Sequence, residues 1–316
     1  MADIYLHSKL SEQVIKDVPR PLNQSIVFVG AQGPDPMYYN VSKKDAAESR
    51  YTADRMHDTN TRLLFKNMVP YVKTHLTEET YSFLIGFICH YALDVSIHPY
   101  VYYNAGIYQK TIPETHQYRG LHLKFERSMD AVMIQKDFGI PSRKLRLTRK
   151  YFAKTELTDD VCKIMAHTLK NTYGKDNGGY LYGVGVKKMY KNVKNLVTDR
   201  FGFKKLLLKV VDLFRSSNMF LQDLSFFNHV EKGIDFLNEE KKTWYHPITN
   251  TPSNDSVEEM FEKARVFALE LINQVDAYLY DTKEVNLEEV FTNLSFNSGL
   301  DCDLHDEMKH FNNYRK

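Results

Sequence analysis

Residues 77–103, TEETYSFLIGFICHYALDVSIHPYVYY, constrain the fold more than any other part of the chain: the stretch is apolar enough to be buried, yet it carries His90, Asp94 and His98. At about 100° per residue on a helix, positions i, i+4 and i+8 fall within a stripe roughly 80° wide. Three potential metal ligands therefore share one face of a helix that belongs in a core. Burying an unpaired carboxylate or imidazolium there costs several kcal/mol, so these groups need partners, and a divalent cation is an effective one. A second segment repeats the pattern. His122 and Glu126 stand at i, i+4 among Leu121, Leu123 and Phe125, presenting a nitrogen and an oxygen side by side in a pairing suited to zinc.

Three further residues are candidates for the same chemistry. Asp35 lies between Pro34 and Pro36 in GAQGPDP, where two fixed φ angles suit a carboxylate that must be held in one place. His57 in DRMHDTN is expected on a helix, and His7 sits near the start of the first helix. Taken singly, each reads as an ordinary surface, core or turn residue. His75, His116, His167, His229, His246, His305 and His310 fall outside the pattern, although His116 is close enough to His122 to compete for its role.

Composition sets the class. With 14 Gly and 10 Pro in 316 residues, and abundant Lys, Leu and Glu, the chain reads as all-α rather than as a turn-rich sandwich or barrel. An apolar content of 43% excludes disorder for most of it. Charges of 42 Lys and Arg against 40 Asp and Glu argue against non-specific nucleic-acid binding through a basic surface. The opening residues lack the apolar run of a secretory signal, so a cytoplasmic location is expected. Cys89, Cys162 and Cys302 form no paired pattern and read as reduced thiols. No apolar run approaches 18 residues, and no membrane-spanning helix is expected.

Along the chain, a first helix is expected at 4–16. The segment 25–39 reads as a buried connection, with a short strand at 25–29 as the competing reading. A single helix is expected at 53–73 with Pro70 as a kink, then one from Thr77 ending near Pro99, and one at 119–136 closing at Gly139. Further helices are expected near 158–173, 187–197, 203–218, 219–239 and 256–280, with loops at 174–185 and 246–255. Residues 1–145 would form a metal-binding helical core, and 146–316 a helical region packed on it as one continuous domain.

In order and spacing, His7, Pro34-Asp35, His57, H90xxxD94xxxH98 and H122xxxE126 resemble the zinc-dependent phospholipase C proteins, which share a fold with the P1/S1-type nucleases. The resemblance covers residues 1–130 and fades after about 140, where WYHPITNTP and SGLDCDLHDEM merely look like tail segments of intracellular members. It implies an all-helical enzyme with two or three zinc ions. One would be held by Asp35, His57, His90 and Asp94, a second by His98, His122 and Glu126, and a third by His7 with Asp94 bridging. Secreted members complete the third site with a processed N-terminal Trp. Here the only Trp is Trp244, and a free amine at Ala2 would have to serve.

The chemistry so implied is hydrolysis of a phosphodiester. Zinc lowers the pKa of a bound water to about 7, and Asp35 is the candidate general base. The expected substrate is a phospholipid headgroup or another phosphodiester. A P1-like single-strand nuclease and a non-catalytic protein stapled by zinc are the alternatives. Tyr38, Tyr39, Tyr100, Tyr102 and Tyr103 flank the ligands and suit either a choline group or a nucleobase, unless they simply line the core. The basic residues recurring from Lys187 to Lys209 suit a peripheral membrane surface; the plainer expectation is a solvated helix face with its apolar side in the core. Oligomeric state is not legible.

Overall fold

Thr77 opens the longest helix of the chain with a reciprocal cap: its hydroxyl accepts from the Thr80 backbone N–H, and the Thr80 hydroxyl accepts from the Thr77 backbone N–H. The computed structural model describes residues 4–42, 44–152, 157–214, 220–226, 230–280, 284–304 and 306–315. Its α-helices, in chain order, are α1 (Ile4–Val14), α2 (Gln24–Gly30), α3 (Ala46–Asp58), α4 (Thr61–Thr74), α5 (Glu78–Ala105), α6 (Leu121–Phe138), α7 (Leu147–Lys150), α8 (Asp159–Tyr173), α9 (Gly178–Asn192), α10 (Phe203–Asp212), α11 (Val257–Tyr280) and α12 (Leu287–Val290). A small antiparallel ribbon, β1 (Trp244–Tyr245) with β2 (Pro252–Ser253), is the only sheet among the described residues, and the fold is all-α.

Helix α5 is the axis of the molecule. Helices α2 and α11 pack along it, with α1, α6, α8 and α4 against its remaining sides, so it is buried nearly all round. By length and composition it could cross a membrane, but 89% of its most apolar window is buried within the protein. The contact with α2 is closest at Gly30 and Gly86, where helix backbones touch: a Cβ on Gly86 would lie 2.1 Å from the Val27 carbonyl oxygen.

Several expectations need correction. The strand at 25–29 is helix α2, started by the Asn23 side chain accepting from the Ile26 N–H and buried from Ile26 to Gly30. The helix expected at 53–73 is two, α3 and α4, separated at Thr59 and at Asn60, which takes the left-handed conformation with φ 54°. Pro99 does not end α5. Proline there removes one helical hydrogen bond, and the buried Tyr100, Val101 and Ala105 beyond it hold the helix to Ala105. Helix α9 begins at Gly178, inside the expected loop at 174–185, and runs into a single π-turn at Val193–Val197. Residues 219–239 contain no α-helix among those described, only a 3-10 turn at Leu221–Leu224 and bends. Part of that region, with 215–219 and 227–229, lies outside the described residues. The cysteines are free, with Cys89 and Cys302 buried.

Candidate metal centre

Five elements bring eight side chains to one place. Helix α1 supplies His7, a 3-10 turn at Asp35–Tyr39 supplies Asp35, α3 supplies His57, α5 supplies His90, Asp94 and His98, and α6 supplies His122 and Glu126. Asp94 is the hub. Its Oδ1 lies 3.2 Å from His7 Nε2 and 3.4 Å from His98 Nε2, and its Oδ2 lies 2.9 Å from His90 Nε2 and 3.8 Å from His57 Nε2. His57 Nε2 is also 3.4 Å from Asp35 Oδ1. Glu126 Oε1 stands 3.3 Å from His98 Nε2 and 3.1 Å from His122 Nε2.

These contacts sort into three sets whose potential ligand atoms lie within 4.8 Å of one another: Asp35, His57 and His90; His98, His122 and Glu126; and His7, His90 and Asp94. All eight residues expected from the sequence are thus gathered. The N-terminal amine expected for a third ion falls outside the described residues. His116 sits apart in an exposed 3-10 turn, its Nε2 bonded to the Lys110 carbonyl at 3.1 Å. His246 bonds the Ser298 carbonyl, while His229 and His305 lie outside the described residues.

The ring orientations are set from behind. Nδ1 of His57 donates to the Ala53 carbonyl at 2.8 Å, Nδ1 of His90 to the Ala31 carbonyl at 3.1 Å, and Nδ1 of His98 to the Phe296 carbonyl at 3.0 Å. With Nδ1 donating to a carbonyl, each Nε2 is the nitrogen turned toward the cluster, the one that can ligate a metal once any proton on it is displaced. Meanwhile His90 Nε2, Asp94 Oδ2 and Glu126 Oε2 are buried and make no hydrogen bond. Orphaned buried acceptors of this kind are costly unless a cation collects them. A nitrogen and oxygen donor set fits zinc.

The electrostatics agree. Burial alone would raise the Asp94 carboxyl, but His90, His98 and His7 around it hold it well below the usual range. Asp35 is likewise held down to about 2, against burial, by its bond to His57. Glu126 is lowered, against burial, by His122 and His98. On the imidazole side, burial lowers His7 and His122, whereas Asp94 and Glu126 overcome burial and push His98 up to about 9. Asp35 raises His57 in the same way. Three ionised carboxylates thus face five imidazoles in a region almost closed to water.

The opening is at His122, 25% exposed where the other seven are nearly buried. The Tyr102 ring lies 4.7 Å from the His122 ring, and its hydroxyl donates to Asn297 Oδ1 at 3.1 Å. Tyr102 and Asn297 also line a cleft of about 560 Å³. Its walls hold Asp58, Asp301, Asp306 and Glu307, with no Lys or Arg among the described lining residues. Of the other tyrosines, Tyr38 donates to Asp54 beside His57, and Tyr100 and Tyr103 pack on Trp244 in the body of the protein.

Sequence reasoning missed three participants. Gly33 has φ +49°, and a Cβ on it would lie 2.1 Å from His90 Cδ2, so the turn carrying Asp35 rests directly on a candidate ligand. Phe296 touches the His57 and His90 rings and supplies the His98 acceptor. Arg127, next to Glu126, is fully buried beside the Phe226 ring and close enough to Tyr39 to act on its hydroxyl. The Gly in GAQGPDP carried a readable signal; the other two did not.

Residues 6–175 match the family described as zinc-dependent phospholipase C, a span that extends beyond the ligand residues through the end of α8. No curated protein and no solved structure matches the chain.

Proposed function

The chain belongs to the zinc-dependent phospholipase C family, and from that premise we propose that it hydrolyses a phosphodiester in a phospholipid carrying a cationic headgroup. The observation that carries the reading is the buried meeting of Asp94 with four imidazoles. Asp35, His57, His90 and Asp94 would hold one zinc, His98, His122 and Glu126 another, and His7 with Asp94 a third. Zinc bound there supplies charge for the phosphoryl oxygens and makes water acidic enough to ionise near pH 7.

The chain's own groups do the rest. Asp35, ionised at neutral pH and fixed by Pro34 and Pro36, accepts the proton of the attacking water. His122 borders the route by which substrate enters. Tyr102 contributes its aromatic ring to the lining of the cleft, together with the carboxylates of Asp58, Asp301, Asp306 and Glu307. An acidic cleft attracts an ammonium headgroup and repels the backbone of single-stranded nucleic acid, which disfavours the nuclease reading.

The test pairs elemental analysis of the purified protein with assays on phosphatidylcholine vesicles and on a single-stranded oligonucleotide. Two or three zinc ions per chain with release of phosphocholine support the proposal. Cleavage of the oligonucleotide alone assigns a nuclease, and tightly bound zinc without either activity assigns a structural role.

A further inference from the structure

Helix α10 is mounted the wrong way round for a soluble surface helix. At 100° per residue, Phe203, Leu206, Leu207, Val210 and Val211 share an arc of about 140°, and all five face outward. Phe203 is 73% exposed, Leu206 62% and Leu207 65%. Phe201 before the helix and Leu213 and Phe214 after it are exposed to similar or greater degree. The eight residues together present on the order of 1,000 Å² to water, against the few hundred typical of a monomer's largest apolar patch. The expectation that this region turns its apolar side into the core is therefore wrong for α10.

The opposite, polar face holds the helix to the protein. Both Asp212 oxygens accept backbone N–H groups, of Leu221 at 2.8 Å and Gln222 at 2.9 Å. Lys205 Nζ donates to the Gln222 and Ser225 carbonyls at 2.7 and 3.0 Å. Asp199 accepts from the backbone N–H groups of Gly202 and Lys205 before and within the first turn. This bracket rests on the 3-10 turn at Leu221–Leu224, which packs against α6. Lys205 and Asp212 thus anchor the polar side inward, so the outward apolar side is a built feature.

Charge identifies the occupant. Between Lys187 and Phe214 the two acidic residues, Asp199 and Asp212, are both buried, while Arg200 just before the helix and Lys204 and Lys209 on either side of its apolar arc are exposed and form a basic rim. A second copy of the chain docking by two-fold symmetry would set this basic rim against itself. A bilayer with anionic headgroups accepts both the apolar face and the basic rim. We infer that α10 with its flanking Phe201, Leu213 and Phe214 is a membrane-docking face that inserts into the interface of an anionic lipid surface. The inference does not rest on the hydrolase reading, since docking requires no turnover.

The test uses the full chain in its metal-loaded form. Co-sedimentation with phosphatidylcholine vesicles, with and without phosphatidylglycerol, should show binding that increases with the anionic lipid and weakens with salt. The Phe203→Ser/Leu207→Ser variant should bind at least tenfold more weakly while keeping the wild-type circular dichroism spectrum. In a Leu207→Trp chain, emission should shift to the blue on vesicle addition. Wild-type binding unaffected by Phe203→Ser/Leu207→Ser, or no binding at all, overturns the inference. So does a dimer in sedimentation velocity, abolished by the same variant, in a protein that ignores vesicles.

Discussion

Gly33→Ala tests whether the turn bearing Asp35 and the ring of His90 form one rigid assembly. The added Cβ would sit 2.1 Å from His90 Cδ2 and 2.4 Å from Cγ. An ordinary carbon contact is about 3.5 Å, so ring or turn must retreat by roughly 1.4 Å. The ring is fixed by its bond to the Ala31 carbonyl and by stacking on His7 at 4.2 Å. Whichever side yields, Asp35 shifts relative to His90. Zinc–nitrogen distances tolerate only about 0.2 Å, and even disturbing an outer partner of a ligand costs 10–100-fold in affinity. The expected outcome is at least that loss in zinc affinity, measured by competition with a chromogenic chelator. The φ of +49° adds about 1–2 kcal/mol of strain for Ala, seen as a lower melting temperature. Gly139→Ala is the control. Its φ is +64° and nothing lies within 4 Å of the added carbon, so it should show the strain and keep the zinc. If Gly33→Ala binds as much zinc, as tightly, as Gly139→Ala, the reasoning fails.

Other outcomes follow from the same geometry. Asp94→Asn keeps the shape of the hub but removes its charge; it should lose at least one zinc by elemental analysis and at least about 100-fold in hydrolysis. His98 titrates near 9 when folded, above its ordinary 6.5, so in metal-free protein its proton stabilises below pH 6.5 and that contribution disappears as pH rises through 9. Zinc must displace this proton, and its apparent affinity should rise by up to about tenfold per pH unit toward pH 9 and fall in acid, read by chelator competition across that range. Gly86→Ala forces apart α2 and α5 and should cost about 1–3 kcal/mol in urea unfolding. Asp306→Lys/Glu307→Lys should raise KM for phosphatidylcholine several-fold and leave phosphatidylglycerol unaffected or better bound, with kcat nearly unchanged.

The ligand face of α5 was legible because helical period alone aligns His90, Asp94 and His98, and burial of polar groups in an apolar run has few solutions. His7, Asp35 and His57 were legible only through their order along the chain, since nothing local marks them. The breaks were harder. Asn60 adopts a left-handed φ that any Asn permits but few require, and Pro99 loses to the packing of the residues beyond it. The acceptors that orient the imidazoles are main-chain carbonyls of Ala31, Ala53 and Phe296, and a carbonyl leaves no mark in a sequence. Phe296 is also 198 residues from His98, beyond any local rule. For α10 the amphipathic period was readable, but period does not say which face turns inward. That was decided by Asp212 and Lys205 finding main-chain partners in the turn at Leu221–Leu224.

With metal ions bound, the centre would be opposite in sign to the acidic cleft next to Tyr102, and under the proposed function this bears on substrate choice. Asp35, Asp94 and Glu126 are the only carboxylates in the ligand set, so two or three divalent ions would leave the centre with net positive charge. A phosphoryl group is drawn there. On the other side of Tyr102, whose ring contacts His122, the described walls of the cleft carry four carboxylates and no Lys or Arg. A substrate with phosphate at one end and an ammonium a few ångströms away matches both fields at once, whereas a polyanion matches only the inner one. Because the chain as a whole is nearly neutral, the discrimination proposed above would depend on the local pair of fields and little on net charge. Raising the ionic strength should therefore weaken capture of phosphatidylcholine through the exposed Asp306 and Glu307 rim while leaving the turnover of bound substrate unchanged. A kcat that fell in parallel with kcat/KM would place the cleft carboxylates in the chemistry itself and refute the division of labour.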